Sequence, residues 1–244
     1  MAMMNYKTIK TLFLDVGNTL ISMDFQWVSE KLNELGIPCD PVTIQRAEAA
    51  GRPGLSAKIH ESGNDPGFNT RAFFFSNLLE NLPMKTRMTV ESIEPMAQRL
   101  ILSLFPEGSA LRLWSHVLPG THAALKRFQA MGFSMHVISN SDGTVEKQLI
   151  QTRLRSFFGE VIDSRVVKVE KPDPRIFEMA LEMAGCNAED ALYVGDIYHV
   201  DILGAQSAGM QAVLLDPYSD WGEIPCERVP NLTALAERFF LEKG

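Results

Sequence analysis

Beyond Pro119–Gly120, short apolar runs alternate with segments of helical spacing, and a further apolar run, Thr8–Leu14, precedes them near the start of the chain. Strands that alternate with helices predict a parallel, doubly wound α/β sheet. The nearly continuous apolar character of Thr8–Leu14 is typical of a central strand that is buried on both faces. The other predicted strands are Ser134–Ile138, Val161–Ile162, Ala191–Val194 and Gln211–Leu215, whereas the Pro-bearing stretch Asp216–Pro230 is predicted to be a loop.

Between Ile21 and Trp114 the pattern changes to helical spacing with no convincing strand. Helices are predicted over Phe25–Leu35, Val42–Ala50, Thr70–Asn81 and Thr89–Ser103, with the turn-rich stretches Gly51–Gly54 and Ser62–Gly67 between them. The sequence therefore predicts an α/β core, residues 1–21 and 115–244, and an inserted, smaller all-helical domain, residues 22–114.

The composition excludes several classes of protein. A formal net charge of −7 leaves no basic face for DNA or RNA. The N-terminus lacks the apolar region and cleavage site of a secretory signal, and no stretch approaches the roughly 20 apolar residues of a membrane span. Three widely spaced cysteines, Cys39, Cys186 and Cys226, indicate reduced thiols rather than a disulfide framework or a zinc site. We therefore expect a cytoplasmic protein with no nucleic-acid or membrane partner; the oligomeric state is left open.

Polar residues follow three of the predicted strands. Asp15 comes after the first strand, Ser139 and Asn140 come after Ser134–Ile138, and Asp196 comes shortly after Ala191–Val194. Open α/β sheets bind ligands in the crevice beyond the carboxyl ends of their strands, so we expect these side chains to converge there. Two carboxylates at one sheet edge form an oxygen-rich site that suits Mg²⁺.

These residues lie in four short motifs whose order resembles that of the haloacid dehalogenase (HAD) superfamily. The run Asp15–Leu20 (DVGNTL) is similar to the first motif of the superfamily, Asp-x-Asp-Gly-Thr-Leu, and Ser139–Asn140 is similar to the second. The run Val169–Pro174 (VEKPDP) resembles the third motif through its lysine, Lys171. The run Val194–Asp201 (VGDIYHVD) resembles the fourth, a Gly-Asp pair followed five residues on by a second aspartate.

The resemblance implies a HAD-like Rossmannoid core, a helical cap and a role for each motif residue. It implies that Asp15 is a nucleophile that forms an aspartyl-phosphate, with Lys171 neutralising the nucleophile and the bound phosphoryl group and Ser139 holding a phosphoryl oxygen. The implied phosphate-binding residues are Asn18, Ser139, Asn140 and Lys171. The implied Mg²⁺ ligands are Asp15, the main-chain carbonyl of Gly17, and Asp196. Asp201 is implied to orient waters or Lys171.

Gly17 stands where most phosphatases of the superfamily carry a second aspartate, which protonates the leaving alcohol and later activates water. Glycine does neither, so another group would have to move the proton. Asp24 and His60 are the candidates, although Asp24 also fits the N-cap of a helix and His60 also fits a solvated surface histidine.

The resulting functional prediction is a Mg²⁺-dependent phosphatase that acts on a small phosphorylated metabolite, because a cap encloses a small substrate and excludes water. One alternative is a catalytically weak HAD protein that binds a phosphorylated metabolite. Another is a phosphonatase-type C–P hydrolase, whose Schiff-base lysine would be Lys58, 43 residues after Asp15. Dehalogenation is disfavoured, since haloacid dehalogenases carry an aromatic residue at the Gly17 position and lack the Gly-Asp metal motif.

Overall fold

The computed structural model describes residues 4–63, 65, 67–83, 90–106 and 110–243. Its internal contacts divide the chain into two compact units. One unit, which we call the core unit, consists of Met1–Ser22 with Ser115–Gly244, and the other, the inserted unit, is Met23–Trp114.

A six-stranded parallel sheet forms the centre of the core unit, with the strand order β5-β4-β1-β6-β7-β8. A separate two-stranded sheet pairs β2 with β3. The strands are β1 Thr11–Leu14, β2 Ile21–Met23, β3 Trp114–Val117, β4 Ser134–Ser139, β5 Val161–Asp163, β6 Ala191–Gly195, β7 Gln211–Leu215 and β8 Glu227–Val229. The predicted α/β class with a parallel sheet is confirmed.

The α-helices that accompany the sheet among the described residues of the core unit are α6 Thr121–Ala130, α7 Val145–Gln151, α8 Ser164–Val167, α9 Pro174–Ala184, α10 Leu203–Ser207 and α11 Leu232–Lys243. Apolar side chains of the strands pack against them; Phe13 and Ile138 join Phe177 of α9 in one buried cluster. A π-helical turn, Tyr198–Ile202, leads directly into α10.

The position of β1 fixes the location of the site. Leu14 pairs with Val137 of β4 on one side and with Val194 of β6 on the other. The chain continues from β1 to β4 on one side and from β6 to β7 on the other, and a reversal of this kind between neighbouring strands is where open α/β sheets form a ligand crevice. The carboxyl ends of β1, β4 and β6 therefore deliver Asp15, Ser139 and Asp196 to one edge.

The inserted unit is helical and has its own buried apolar cluster, in which Trp27, Leu78 and Leu100 take part. Its helices are α1 Phe25–Glu34, α2 Pro41–Ser62, α3 Thr70–Glu80, α4 Val90–Leu104 and α5 Ala110–Leu113. Thr89, the predicted start of the fourth helix, lies outside the described residues, as do Asn64 and Pro66 of the predicted loop Ser62–Gly67.

Three predictions of local structure are wrong. The stretch Gly51–Gly54 lies inside α2 rather than in a loop, because Gly51 packs closely against Asn77 of α3. Two short strands, β2 and β3, flank the helical block, which was predicted to contain none. The predicted loop Asp216–Pro230 contains β8, a three-residue strand that extends the sheet beside β7.

Two further expectations can be compared with the structure. The three cysteines are free. In the part of the chain that the structure describes, no helix combines the length and apolar character needed to cross a bilayer.

Candidate active site

The ammonium group of Lys171 is the centre of the site. Its Nζ donates to Asp15 Oδ1 at 2.8 Å, to Asp201 Oδ1 at 2.7 Å and to the hydroxyl of Tyr193 at 2.7 Å. All four side chains are buried. The structure thus joins three of the predicted site residues, Asp15, Lys171 and Asp201, although they are far apart in sequence.

Tyr193 is a member of this cluster that the sequence analysis missed. It lies in β6 opposite Phe13 of β1, and its ring packs edge-on against Phe177 with 5.1 Å between the ring centroids. Its hydroxyl is also 3.0 Å from the carbonyl oxygen of Ile138. Because a fully buried tyrosine must find a hydrogen-bond partner, a tyrosine two residues before Gly195-Asp196 was a usable signal.

Asp15 is held by the turn that follows β1. Its N–H donates to the carbonyl of Val194 at 2.9 Å, which continues the β1–β6 pairing by one residue. Asn18 has a left-handed backbone, φ 54°, a conformation that asparagine tolerates better than most residues. The N–H groups of Leu20 and Ile21 both donate to Val16. Within the described chain, the hydroxyl of the buried Thr19 has no hydrogen-bond partner.

The Gly195–Asp201 segment positions a second pair of carboxylates. The other oxygen of Asp201, Oδ2, accepts from the N–H groups of Asp196 at 3.0 Å and Ile197 at 2.9 Å. A Cβ on Gly195 would collide with the Asp201 side chain, so glycine is required there. The π-helical turn brings Asp201 back over the end of β6, and Asp196 stays buried at that end.

Asn140 ties two parts of the site together. Its side-chain amide donates to the main-chain oxygen of Lys171 and accepts from the Lys171 N–H, both at 2.8 Å. These two bonds hold the β4 loop against the loop that carries Lys171. The side chain of Asn140 therefore positions Lys171, and its main-chain N–H is the group that the predicted phosphate-binding role would use. Ser139 is buried at the end of β4.

Burial and charge shift the titration of the cluster. Desolvation raises the pKa of Asp15, and Asp201 raises it further, whereas the Lys171 ammonium lowers it. Burial alone would lower the pKa of Lys171, but the carboxylates of Asp15 and Asp201 outweigh it and the pKa is raised. Burial raises the pKa of Tyr193 well above its usual value, and Asp201 adds to that shift. Lys171 is therefore charged and Tyr193 is protonated at neutral pH.

The donor set of the edge fits a divalent cation. Asp15, Asp196 and Asp201 bring three buried carboxylates against the single ammonium of Lys171, a formal charge of −2. An excess of negative charge that is buried away from water raises the free energy of the folded state unless a cation offsets it. No group of three or more His, Cys, Asp or Glu side chains within the described ranges is arranged to hold a metal. The predicted Mg²⁺ ligand set is not a group of that type, because it combines two carboxylates with the main-chain carbonyl of Gly17.

The residues proposed to replace the second aspartate lie in the inserted unit. Asp24 Oδ1 accepts from the N–H of Trp27 at 2.9 Å and caps α1, the structural alternative that the sequence left open. His60 is exposed on α2. Lys58 is exposed on the same helix and forms an ion pair with Glu61 at 3.5 Å. All three belong to the inserted unit, whereas the Lys171 cluster belongs to the core unit.

An open cleft of about 630 Å³ borders the loops of Asn140 and Lys171 within the core unit. Ser141 and Ser164 both line it and are hydrogen-bonded to each other, since the Ser141 N–H donates to Ser164 Oγ at 3.1 Å. The lining residues are Ser141, Ser164, Arg165, Lys168, Val169 and Glu170. Two cations and two hydroxyls against one carboxylate make this surface suitable for a small anionic group.

Comparison with known proteins gives a consistent family. A family model described as haloacid dehalogenase-like hydrolase matches residues 9–209. The haloacid dehalogenase-like hydrolase domain-containing protein 3 of Mus musculus is 28% identical over 210 residues, 85% of this chain and 82% of that protein. The glyceraldehyde 3-phosphate phosphatase of Methanothermobacter thermautotrophicus is 43% identical over 101 residues, which are 40% of this chain and 44% of that protein.

Solved structures share the fold at low identity. The HAD-hydrolase YfnB from Bacillus subtilis, described as bound to magnesium, aligns with a TM-score of 0.63 and 21% identity over 95% of this chain and 98% of that one. L-2-haloacid dehalogenase from Xanthobacter autotrophicus aligns with a TM-score of 0.57 and 18% identity over 94% and 97%. Because one fold here hosts different reactions, the reaction has to be argued from the site.

Proposed function

The chain belongs to the haloacid dehalogenase-like hydrolases, and from that premise we propose that it is a Mg²⁺-dependent phosphatase acting on a small phosphorylated metabolite. The observation that carries the proposal is the buried contact of Asp15, at the carboxyl end of β1, with the ammonium of Lys171 at 2.8 Å. A carboxylate paired with a fixed cation at a ligand crevice is the arrangement that a covalent nucleophile requires. The partial similarity to an archaeal glyceraldehyde 3-phosphate phosphatase supports phosphate esters as substrates.

In the proposed mechanism a carboxylate oxygen of Asp15 attacks the phosphorus atom of a phosphomonoester. The bond from phosphorus to the ester oxygen breaks, and the substrate leaves as an alcohol once that oxygen has taken a proton. Water then attacks the phosphorus atom of the aspartyl-phosphate, which releases inorganic phosphate and restores Asp15. Lys171 and the N–H groups of the β4 loop offset the charge that develops on the phosphoryl oxygens, so catalysis is mainly positioning and electrostatics.

Asp15, the carbonyl of Gly17, and Asp196 are the residues that would hold Mg²⁺. When bound, the ion supplies positive charge to the carboxylates and to the phosphoryl oxygens of the substrate. Asp201 holds both Lys171 and the Asp196 main chain in place, because one of its carboxylate oxygens accepts from the Lys171 ammonium and the other accepts from the Asp196 N–H.

Because Gly17 has no acidic side chain, the proton that the leaving group needs must come from another residue or from water. We propose Asp24 and His60 as the candidate proton donors. If the site lacks an acid, alkyl phosphates should be hydrolysed far more slowly than aryl phosphates, whose leaving groups need no proton. General acid catalysis typically contributes about 10²–10⁴-fold in rate. A similar rate for both ester classes would show that an acid is present, and Asp24→Asn and His60→Gln would then identify it.

The decisive test is hydrolysis of a generic aryl phosphate with and without Mg²⁺. We expect metal-dependent phosphate release that Asp15→Asn reduces by at least about 10³-fold, since the covalent route is lost. Asp190→Asn, which removes a surface carboxylate that pairs with Lys10, is the matched control and should retain the rate. A wild-type protein that binds phosphate but shows no turnover that depends on Asp15 favours the alternative of a weak, phosphometabolite-binding protein.

The substrate class is proposed on size and charge. The cleft of about 630 Å³ is lined by the chain neighbours Ser141 and Glu170 and not by Asp15 or Lys171 themselves, and its volume falls within the range typical of small-molecule pockets, roughly 300–1,000 Å³. Phosphate release from sugar phosphates, nucleotides and short-chain acid phosphates should exceed release from a phosphopeptide, and the reverse order argues against a metabolite. The phosphonatase alternative predicts that borohydride traps phosphonoacetaldehyde on Lys58. If Lys58 stays unlabelled while the substrate is being turned over, the phosphonatase alternative is wrong.

A further inference from the structure

The hydroxyl of Tyr193 lies inside the proposed active site, although no motif includes it. Tyr193 is fully buried, and its hydroxyl is 2.7 Å from Lys171 Nζ and 3.0 Å from the main-chain oxygen of Ile138. Asp201 Oδ1 lies farther away, at 3.3 Å. The hydroxyl therefore stands between the lysine and the end of β4.

Three acceptors surround the ammonium group of Lys171. An ammonium group has three N–H donors. Its three acceptors are Asp15 Oδ1, Asp201 Oδ1 and the Tyr193 hydroxyl, all within 2.8 Å. Since the tyrosine oxygen accepts from Lys171, its own proton goes to the shorter of its two acceptors, the Ile138 carbonyl. The lysine is thereby anchored to the backbone of β4 through one tyrosine.

We propose that Tyr193 is a positioning residue that fixes the Lys171 ammonium against Asp15. The kinetic part of this inference rests on the proposed phosphatase function. Without the hydroxyl, one N–H of the ammonium loses its acceptor, and the group loses one of the three contacts that fix its direction. The nucleophile and its cation then no longer hold one geometry.

Tyr193→Phe removes the hydroxyl and keeps the ring that packs on Phe177. The matched control is Tyr6→Phe, which deletes the same atom from another buried tyrosine, one whose hydroxyl bonds Glu227 at 3.3 Å. With an aryl phosphate and Mg²⁺, we expect kcat of Tyr193→Phe to fall about tenfold with KM within about twofold, while Tyr6→Phe keeps both. A kcat within about twofold of the wild type, or a loss confined to KM, overturns the proposal.

A readout that needs no turnover separates this inference from the proposed function. In ¹⁵N-detected NMR, the Lys171 ammonium, assigned by its loss in Lys171→Met, should exchange its protons slowly in the wild type and at least about tenfold faster in Tyr193→Phe. Equal exchange rates overturn the inference even if the enzyme is active. If Tyr193→Phe does not fold, the wild type alone decides: a nuclear Overhauser contact between the Tyr193 hydroxyl and the Lys171 ammonium is expected, and its absence in a resolved spectrum contradicts the positioning.

Discussion

Single residues at the carboxyl edge of the sheet carry more negative charge than the protein itself offsets. The buried carboxylates of Asp15, Asp196 and Asp201 face one buried cation, Lys171. Like charges at short range in a medium of low dielectric raise the free energy of the folded state. The metal-free protein should therefore have a lower free energy of unfolding than the metal-bound protein, because a divalent cation offsets part of the negative charge.

Thermal unfolding with EDTA and with Mg²⁺ tests this charge excess without any assay of activity. At a concentration of about 100 times Kd, ligand binding adds about 2.7 kcal/mol to the unfolding free energy, or roughly 5–10 °C in Tm for a chain of this size. We expect that upward shift for the wild type. Asp196→Asn should shift by less than about 2 °C, and its Tm in EDTA should equal or exceed that of the metal-free wild type.

The surface variant Asp190→Asn serves as the control for this measurement, because it also loses one carboxylate but should keep the full Mg²⁺ shift. Two results would contradict the charge argument. One is a folded wild type whose Tm does not respond to Mg²⁺. The other is an Asp196→Asn protein that is several degrees less stable in EDTA.

The sequence pointed to most residues of the cluster because their position is encoded locally. Asp15 and Asp196 follow apolar strands, so the parallel sheet predicts that they converge, whereas Lys171 was assigned to the site through the resemblance of its run to the third motif. Tyr193 was missed because it reads as one more apolar residue of a buried strand, and only the tertiary structure aims its hydroxyl at Lys171. The hydrogen bonds between the Asn140 side chain and the Lys171 main chain were not predicted for the same reason, because they join two loops that are 31 residues apart in sequence.

At the scale of secondary structure, α2 shows how packing overrides local preference. The helix runs from Pro41 to Ser62 through Gly51 and Pro53, residues that disfavour helix interiors. Asn77 of α3 donates to the carbonyl of Gly51 at 2.6 Å in a buried contact, and the absence of a Cβ on Gly51 leaves room for it. The glycine is thus used for close helix approach rather than for a turn.

A double-mutant cycle on Gly51 and Asn77 tests this reading. In a free helix, Gly→Ala would stabilise by up to about 1 kcal/mol. Here a Cβ would collide with the Asn77 amide, so we expect Gly51→Ala to destabilise the inserted unit by roughly 1–3 kcal/mol. Asn77→Ala removes the obstacle, and the double variant should lose less stability than the two single losses added together. Additive losses in urea unfolding would mean that the two residues do not meet.

Strand prediction succeeded for strands that are buried on both faces, because such strands have a continuous apolar sequence. β6 and β7 were placed to within one residue for this reason. β8 was not predicted because its three residues lie at the sheet edge, two of them are the charged Glu227 and Arg228, and they form neither an apolar run nor an alternation. β2 and β3 escaped similarly, since each spans only three or four residues and is defined by its partner rather than by its own pattern.

At the scale of the whole molecule, the chain leaves and re-enters the core unit at neighbouring points. The N–H of Asp24 donates to the carbonyl of Leu113 at 2.7 Å, so the two ends of the helical insertion lie side by side. Each unit also has its own buried apolar cluster. Units with separate cores and adjacent termini can in principle fold alone and tolerate excision.

Excision of the insertion is therefore expected to leave a folded core. Replacing residues 24–113 with a short Gly-Ser link should give a protein with near-UV circular dichroism, a cooperative urea transition and the Mg²⁺-dependent rise in Tm, because the proposed metal ligands Asp15, Gly17 and Asp196 all lie in the core unit. The fragment Met23–Trp114 should unfold cooperatively on its own. A core that loses near-UV signal, or folds without any response to Mg²⁺, would show that the core unit does not form the proposed metal site on its own.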